Sequence, residues 1–298
     1  MKNHPFHSYV AEWFNRHFSG PTPAQEAGWP PIREGRHTLI AAPTGSGKTL
    51  AAFLWAINWL VEEATHGSLA DETQVVYVSP LKALGNDIQK NLQTPLSKIL
   101  AIARQNDPAF PEIRVAVRSG DTLARERQQM LKRPPHILIT TPETLYILLT
   151  AEGSRRFLRS ARTVIVDEIH AVAGDKRGSH LALSLERLDA LAGRSLQRIG
   201  LSATQNPIAE IARLLVGAKH LLADGSAHCA IVDEGHRRHL SLSVVVPDRR
   251  LGPSPPMRSG LETYDRIATV AGEHRTTLVF VDTFVDWWSA CLFSWNSA

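Results

Sequence analysis

Two stretches of the chain carry residue types suited to phosphate chemistry. Residues 42–49 read Ala-Pro-Thr-Gly-Ser-Gly-Lys-Thr, directly after the apolar run Thr38, Leu39, Ile40, Ala41. Gly45 and Gly47 carry no Cβ, so backbone N–H groups on this loop, which also holds Thr44 and Ser46, can converge on phosphate oxygens. Lys48 can set a cation against β- and γ-phosphates, and the Thr49 hydroxyl can ligate Mg²⁺. The helical pattern that follows, 50–61, points its positive end at the same anion. One position departs from the strict phosphate-loop pattern: Ala42 stands where the first glycine belongs. Residues 163–170 read Thr-Val-Ile-Val-Asp-Glu-Ile-His, a β-forming run that ends in two carboxylates. At the end of a buried parallel strand, Asp167 can hold a Mg²⁺ shell while Glu168 polarises a water. Together the stretches predict a Mg²⁺-dependent nucleoside triphosphate site.

The elements that must position these residues are legible in the periodicity. Strand-like runs fall at 37–41, 75–79, 114–118, 136–140, 163–166 and 198–201. Helical patterns alternate with them at about 50–61, 84–103, 122–132, 143–152, 180–192 and 207–216. Such alternation predicts an α/β fold with a mainly parallel sheet covered by helices on both faces. Trp55 and Trp59, one turn apart, read as core packing.

After residue 222 the pattern changes. A strand-like run at 240–246 leads to a Pro/Gly-rich loop, a helical pattern at 261–273 and a strand at 277–281. We expect a first domain over 1–222 and an incomplete second α/β domain over 223–298, whose tail 284–298 is aromatic and nearly uncharged. A length of 298 residues accommodates about two domains. A hydrophobic share of 43% suits a protein with a real core, and the net charge of +4 is compatible with acidic partners such as nucleic acid. Cys229 and Cys291, far apart, give no disulfide framework and fit a reducing cytosol. No apolar run reaches a membrane span, so no membrane partner and a cytoplasmic location are expected. His228, Cys229, His236 and His239 match no common zinc spacing.

Four short motifs follow further strands: Ser79-Pro80-Leu81-Lys82-Ala83-Leu84, Arg118-Ser119-Gly120-Asp121-Thr122, Thr141-Pro142-Glu143-Thr144-Leu145 and Ser202-Ala203-Thr204. All lie where open α/β sheets bind ligands, at the C-terminal ends of strands. In this order, with the phosphate loop and Asp-Glu-Ile-His, they resemble superfamily 2 DEAD/DEAH-box helicases, whose domains are RecA-like. The Asp-Glu-Ile-His spelling, Ser-Gly-Asp-Thr and the opening Phe18-Ser-Gly-Pro-Thr-Pro-Ala-Gln25 resemble the Lhr (large helicase-related) family in particular, over about residues 10–283. The resemblance implies that Gln25 reads an adenine edge, which makes ATP the nucleotide and Mg²⁺ its metal. It implies catalytic roles for Lys48, Asp167, Glu168 and His170, with Thr49 and Asp167 on the metal. Ser202 and Thr204 would couple nucleotide to lobe movement. Pro80, Lys82, Gly120, Thr141 and Pro142 would line a track for single-stranded DNA or RNA, positioning it without reading its sequence. Arg114, Arg118, Arg125, Arg127, Lys132 and Arg133 either deepen that positive surface or form a solvated face. Relatives of this kind imply 3′-to-5′ movement and DNA repair.

The departure is equally informative. Helicases of this superfamily carry an arginine finger in a Gln-x-x-Gly-Arg-x-Gly-Arg type motif, and none occurs here. Such a finger contributes roughly 10³ to 10⁵ in turnover. The expectation is therefore a truncated or frame-shifted second lobe, nucleotide binding with slow hydrolysis, and poor unwinding unless another chain supplies the second lobe. A non-catalytic remnant that binds only ATP or nucleic acid is the alternative.

Overall fold

In a computed structural model, described over residues 5–80, 84–235, 266–273 and 277–279, the chain forms two compact units, Met1–His236 and Arg237–Ala298. In the first, seven strands form one sheet: β1 (Thr38–Ala41), β2 (Val75–Val78), β3 (Val115–Arg118), β4 (Ile137–Thr140), β5 (Thr163–Val166), β6 (Gln197–Ser202) and β7 (Ala230–Asp233). Their spatial order is β3-β4-β2-β5-β6-β1-β7, and every pairing is parallel. The expected six strands form, and they are RecA-like in arrangement. Strands β1, β2 and β4 are buried along their whole length, which is why they read as continuous apolar runs and not as alternation.

Helices cover both faces and divide the core in two. On one face, α1 (Ser8–His17), α2 (Pro23–Arg33), α3 (Lys48–Thr65) and α4 (Leu84–Asn106) enclose Phe14, Trp29, Ile40, Phe53, Ile57, Tyr77, Ile99 and Ile165. On the other, α6 (Pro142–Thr150), α7 (Glu152–Leu158), α9 (Lys176–Ala192) and α10 (Ile208–Val216) enclose Leu39, Val76, Val78, Leu145, Phe157, Leu185 and Leu215. Alternate residues of one strand serve opposite cores, as Leu39 and Ile40 show. Trp55 and Trp59 pack against the first core, and the Arg162 guanidinium lies 5.3 Å over the Trp59 ring. Completing the sequence are α5 (Ala124–Lys132) and α8 (His170–Ala173). No helix among the described residues is long and apolar enough to cross a membrane.

Several boundaries differ from the sequence expectation. The helical pattern at 143–152 is two helices, parted at Ala151 where the backbone turns extended (φ −91°, ψ 125°). The domain change expected at 222 moves to 236, because β7 pairs with β1, with Ala230 N–H donating to the His37 carbonyl at 2.8 Å. In the second unit, 266–272 is helical while 277–279 forms no strand. The run at 240–246, the loop at 247–260 and the tail at 284–298 lie outside the described residues.

Below the sheet, at the N-terminal strand ends, three side chains carry much of the polar cohesion. Arg198, fully buried in β6, donates to the Leu215 and Val216 carbonyls (3.1 and 2.9 Å) and to Glu186 and Asp189 (2.9 and 2.7 Å), tying α9 and α10 to the sheet. His37 Nδ1 accepts the Arg198 N–H at 3.1 Å, and His136 Nδ1 accepts the Arg114 N–H at 2.9 Å. Burial pushes both imidazoles down to about 4.

Two outcomes follow from these contacts. Arg198→Met leaves the buried Asp189 carboxylate without its cation, while Glu186 keeps Lys219, and should cost about 3–5 kcal/mol in chemical unfolding. The histidines are the second case. Their folded pKa values lie below the ordinary 6.5, so the unfolded chain takes up protons first as pH falls. Their contribution is complete above 6.5 and is lost between there and about 4. Melting temperature should fall across that window, and His136→Asn, whose amide oxygen replaces Nδ1 as acceptor, should flatten part of the fall.

Candidate nucleotide and nucleic-acid site

The phosphate loop runs from the end of β1 into α3. Gly45 and Gly47 adopt φ of 83° and 81°, the left-handed conformation that favours glycine. Thr22 and Gln25 brace the loop from α2. Thr22 caps α2, and its hydroxyl donates to the Ser46 carbonyl at 2.7 Å. Gln25 closes the capping box, its Oε1 accepting the Thr22 N–H at 3.0 Å while Nε2 donates to the Gly47 carbonyl at 3.2 Å. A Cβ on Gly47 would meet Gln25 Nε2 at 2.6 Å. The amide of Gln25, 3% exposed, is therefore turned into the loop. Thr44 and Gly45 are exposed, Ser46 and Thr49 half-buried. Ser46 Oγ is buried with no hydrogen-bond partner among the described residues, inside a loop of amides beside Lys48. That donor set fits a triphosphate: N–H groups, an uncommitted hydroxyl and a cation.

Opposite the loop stands the carboxylate pair. Asp167 continues the ladder for one residue, its N–H donating to the Val78 carbonyl at 2.8 Å. The chain then turns at Glu168, whose φ of 46° is the only positive value at a non-glycine among the described residues. Ile169 N–H lands on the Leu201 carbonyl of β6 at 3.0 Å. Lys48 Nζ lies 3.8 Å from Glu168 Oε1, with the lysine side chain 5% exposed. Asp167 is 4% exposed; burial, the largest influence, pushes its carboxyl above the usual range, against the pull of the Tyr77 hydroxyl. Burial likewise holds the Tyr77 phenol well above its ordinary value.

His170 links this pair to the end of β6. Its Nδ1 accepts the Ala203 N–H at 3.1 Å, which places the ring proton on Nε2. The Glu168 carboxylate at 3.4 Å from the same nitrogen is thus a neighbour and not a hydrogen-bonded ion pair. Ser202, fully buried, donates to the Ala203 carbonyl at 2.7 Å and accepts the Ala42 N–H on its own carbonyl at 3.1 Å. Thr204 is exposed.

The remaining motif residues lie on the other half of the same edge. Pro80 follows β2, Gly120 follows β3, and Thr141 and Pro142 follow β4. Thr141 caps α6 by accepting the Thr144 N–H, and Pro142 is its first residue. Lys82 lies outside the described residues. Of the arginines read as a possible track, Arg127 is spent on the Gly120 and Thr122 carbonyls (both 2.7 Å) and Arg133 on Glu112. Arg114 precedes β3, at the opposite edge from the motifs, and bonds Asp71 and the Pro134 carbonyl. Arg177, which sequence reasoning missed, donates to Glu143 at 2.8 Å and to the Pro80 carbonyl at 2.9 Å. Tyr77 was likewise read only as a strand former, although its hydroxyl bonds Asp167.

Comparison with known proteins agrees with this arrangement. Residues 22–211 match the DEAD/DEAH box helicase family. The chain is 48% identical over 277 residues to the ATP-dependent helicase Lhr-Core of Methanothermobacter thermautotrophicus, covering 93% of this chain and 32% of that protein. It is 47% identical over 278 residues to the Lhr helicase/probable uracil glycosylase of Mycolicibacterium smegmatis, covering 93% of this chain and 18% of that one. It therefore spans a third or less of the length of these curated relatives. Among solved structures, Mycobacterium smegmatis helicase Lhr bound to ssDNA and AMP-PNP superposes with a TM-score of 0.73 at 45% identity, over 97% of this chain and 35% of that one. The DEAD-box helicase Mss116 bound to ssRNA and UDP-BeF, at 19% identity and a TM-score of 0.61 over 76% of this chain and 43% of its own, shares the fold.

Gly47→Ala tests the packing of the loop. The strained φ and the approach to Gln25 should lower stability by roughly 1–3 kcal/mol. The loss should be smaller when Gln25 is also truncated to alanine, as read by thermal melting.

Proposed function

Because the chain belongs to the DEAD/DEAH box helicase family, we propose that its first unit is the ATP- and nucleic-acid-binding lobe of an Lhr-like helicase motor. One observation carries this reading: the strand order segregates the motifs. The phosphate loop, the carboxylate pair and Ser202-Ala203-Thr204 end the adjacent strands β1, β5 and β6. Pro80, Gly120 and Thr141 end the adjacent strands β2, β3 and β4. A nucleotide half and a track half thus share one edge.

In the nucleotide half, the loop amides, Ser46 and Lys48 bind phosphates, and Thr49 and Asp167 are the residues to hold Mg²⁺. A bound Mg²⁺ would neutralise charge on the phosphate oxygens. Glu168 orients a water and accepts its proton, with Lys48 keeping the carboxylate in place. For the adenine, Gln25 has one amide N–H left after its bond to Gly47. His170 and Ser202, joined through Ala203, pass the state of the γ-phosphate to a second lobe. In the track half, Pro80, Lys82, Gly120, Thr141 and Pro142 contact a single strand through backbone and hydroxyl groups, without sequence readout. The ssDNA and AMP-PNP held by the 45% identical relative support both halves.

Residues 1–298 contain no arginine-finger motif, so rapid hydrolysis and unwinding call for a second lobe that brings one, in the same or another polypeptide. Cytoplasmic DNA repair is the cellular setting that the Lhr likeness favours.

The test is equilibrium binding with the whole chain. A fluorescent ATP analogue with Mg²⁺ and labelled single-stranded DNA and RNA should all bind. Lys48→Ala should weaken the nucleotide at least tenfold and leave the oligonucleotides unaffected. ATP turnover, with or without DNA, should be slower by roughly 10³-fold or more than that of a two-lobed relative. Wild-type chain that binds no nucleotide would refute the proposal.

A further inference from the structure

Strand β2 reads Val-Val-Tyr-Val, all of it buried. Tyr77 is 0% exposed, and its ring stacks on Phe53 of α3 with centroids 4.5 Å apart and planes 16° from parallel. A phenylalanine would fill that space and make that stack. The hydroxyl needs a separate reason, since a phenol oxygen in an apolar core is costly without a partner.

Its partner is Asp167. In the sheet register Tyr77 lies beside Ile165 of β5. Asp167, two residues beyond Ile165, therefore emerges on the same face of the sheet. The Tyr77 hydroxyl donates to Asp167 Oδ2, and the Glu168 N–H donates to Oδ1 at 2.9 Å. Both carboxylate oxygens are held, one from the neighbouring strand and one from the following turn. Rotation of a carboxylate about its last torsion is soft, so a single hold leaves it free to swing. Two holds fix its plane.

We propose that the Tyr77 hydroxyl is a positioning group that sets the orientation in which Asp167 meets a Mg²⁺–triphosphate. The inference rests on the nucleotide reading above and adds a residue outside every motif on which that reading stands. Hydrogen bonds behind a metal-ligating carboxylate characteristically contribute about 10- to 100-fold in metal affinity. The Phe53 stack gives the same hydroxyl a fixed address relative to the phosphate-loop helix.

The experiment is a Mg²⁺ titration of fluorescent-ATP binding by full-length wild-type chain and Tyr77→Phe, with EDTA controls. We expect the half-saturating Mg²⁺ concentration to rise roughly tenfold in Tyr77→Phe, while nucleotide affinity in EDTA stays within twofold of wild type. In an Asp167→Asn background, Tyr77→Phe should add no further Mg²⁺ effect. Phe53→Leu, which removes the stack and keeps the hydroxyl, should lower the melting temperature and leave the Mg²⁺ titration in place. Coincident titrations of wild type and Tyr77→Phe would overturn the inference. Equal loss of affinity with and without Mg²⁺ would also overturn it, because that is the signature of packing. A wild-type chain that binds nucleotide regardless of Mg²⁺ would overturn this inference alone, and one that binds no nucleotide would bring down the nucleotide reading and this inference with it.

Discussion

Everything at this site depends on one constraint: every strand runs in the same direction. Each pairing in the sheet is parallel, so each strand must be followed by a crossover, and all crossovers leave from one edge. The seven C-terminal strand ends are therefore neighbours however far apart they lie in the chain. Asp167 and Lys48, separated by more than a hundred residues, approach one another for this reason. Strand order then decides which neighbours meet. With β2 beside β5 at the centre, the motifs proposed to bind nucleotide fall to one side of that seam and those proposed to line a track to the other.

Such an edge can only work if its turns hold shapes that relaxed chains avoid. Glu168 sits at a φ of 46°, a conformation that costs on the order of 1–3 kcal/mol at a non-glycine residue. Ladder bonds on either side hold it there: Asp167 to Val78 of β2, and Ile169 to Leu201 of β6. The strand ends by splitting its hydrogen bonds between two neighbours, and Glu168 is the residue left at the fork. The phosphate loop is shaped more cheaply, by glycine at the two left-handed positions and by the α2 cap beneath it. Thr22 serves helix and loop at once, capping α2 and bonding Ser46.

Much of this was legible in the sequence, and the reasons are physical. Strands buried on both faces need unbroken apolar runs, so β1, β2, β4 and β5 announced themselves, as did the glycines and paired carboxylates at their ends. Short or half-exposed elements did not. Strand β7 is four residues of mixed exposure, so its membership of the first sheet was invisible to periodicity. Helix α2 carries two prolines in its last turn, which break a helical pattern. Side chains whose meaning comes from distant partners were missed altogether. Arg198 looks like a charge interrupting a strand until Glu186, Asp189 and two helix-end carbonyls surround it. Arginines 114, 127 and 133 looked like a basic patch, and each has local partners of its own. Lys82, the one cation placed in the track, lies outside the described residues.

The seam between β2 and β5 divides the two proposed halves, and Tyr77 and Arg177 are two of the side chains that cross it. Tyr77 crosses it within the core, from β2 to the Asp167 carboxylate. Arg177 crosses it near the surface, from the start of α9 to the Pro80 carbonyl and Glu143. These links differ in stiffness. The Arg177–Glu143 pair is 41% and 51% exposed, and an exposed ion pair of that kind contributes only about 0–1 kcal/mol, so it can break and re-form at little cost. The Tyr77 bond is sealed from water, so breaking it leaves a buried donor and a buried charge unpaired. The proposed nucleotide lobe would draw on that combination: a carboxylate held in fixed geometry, beside strand-end loops joined to it by a weak exposed pair.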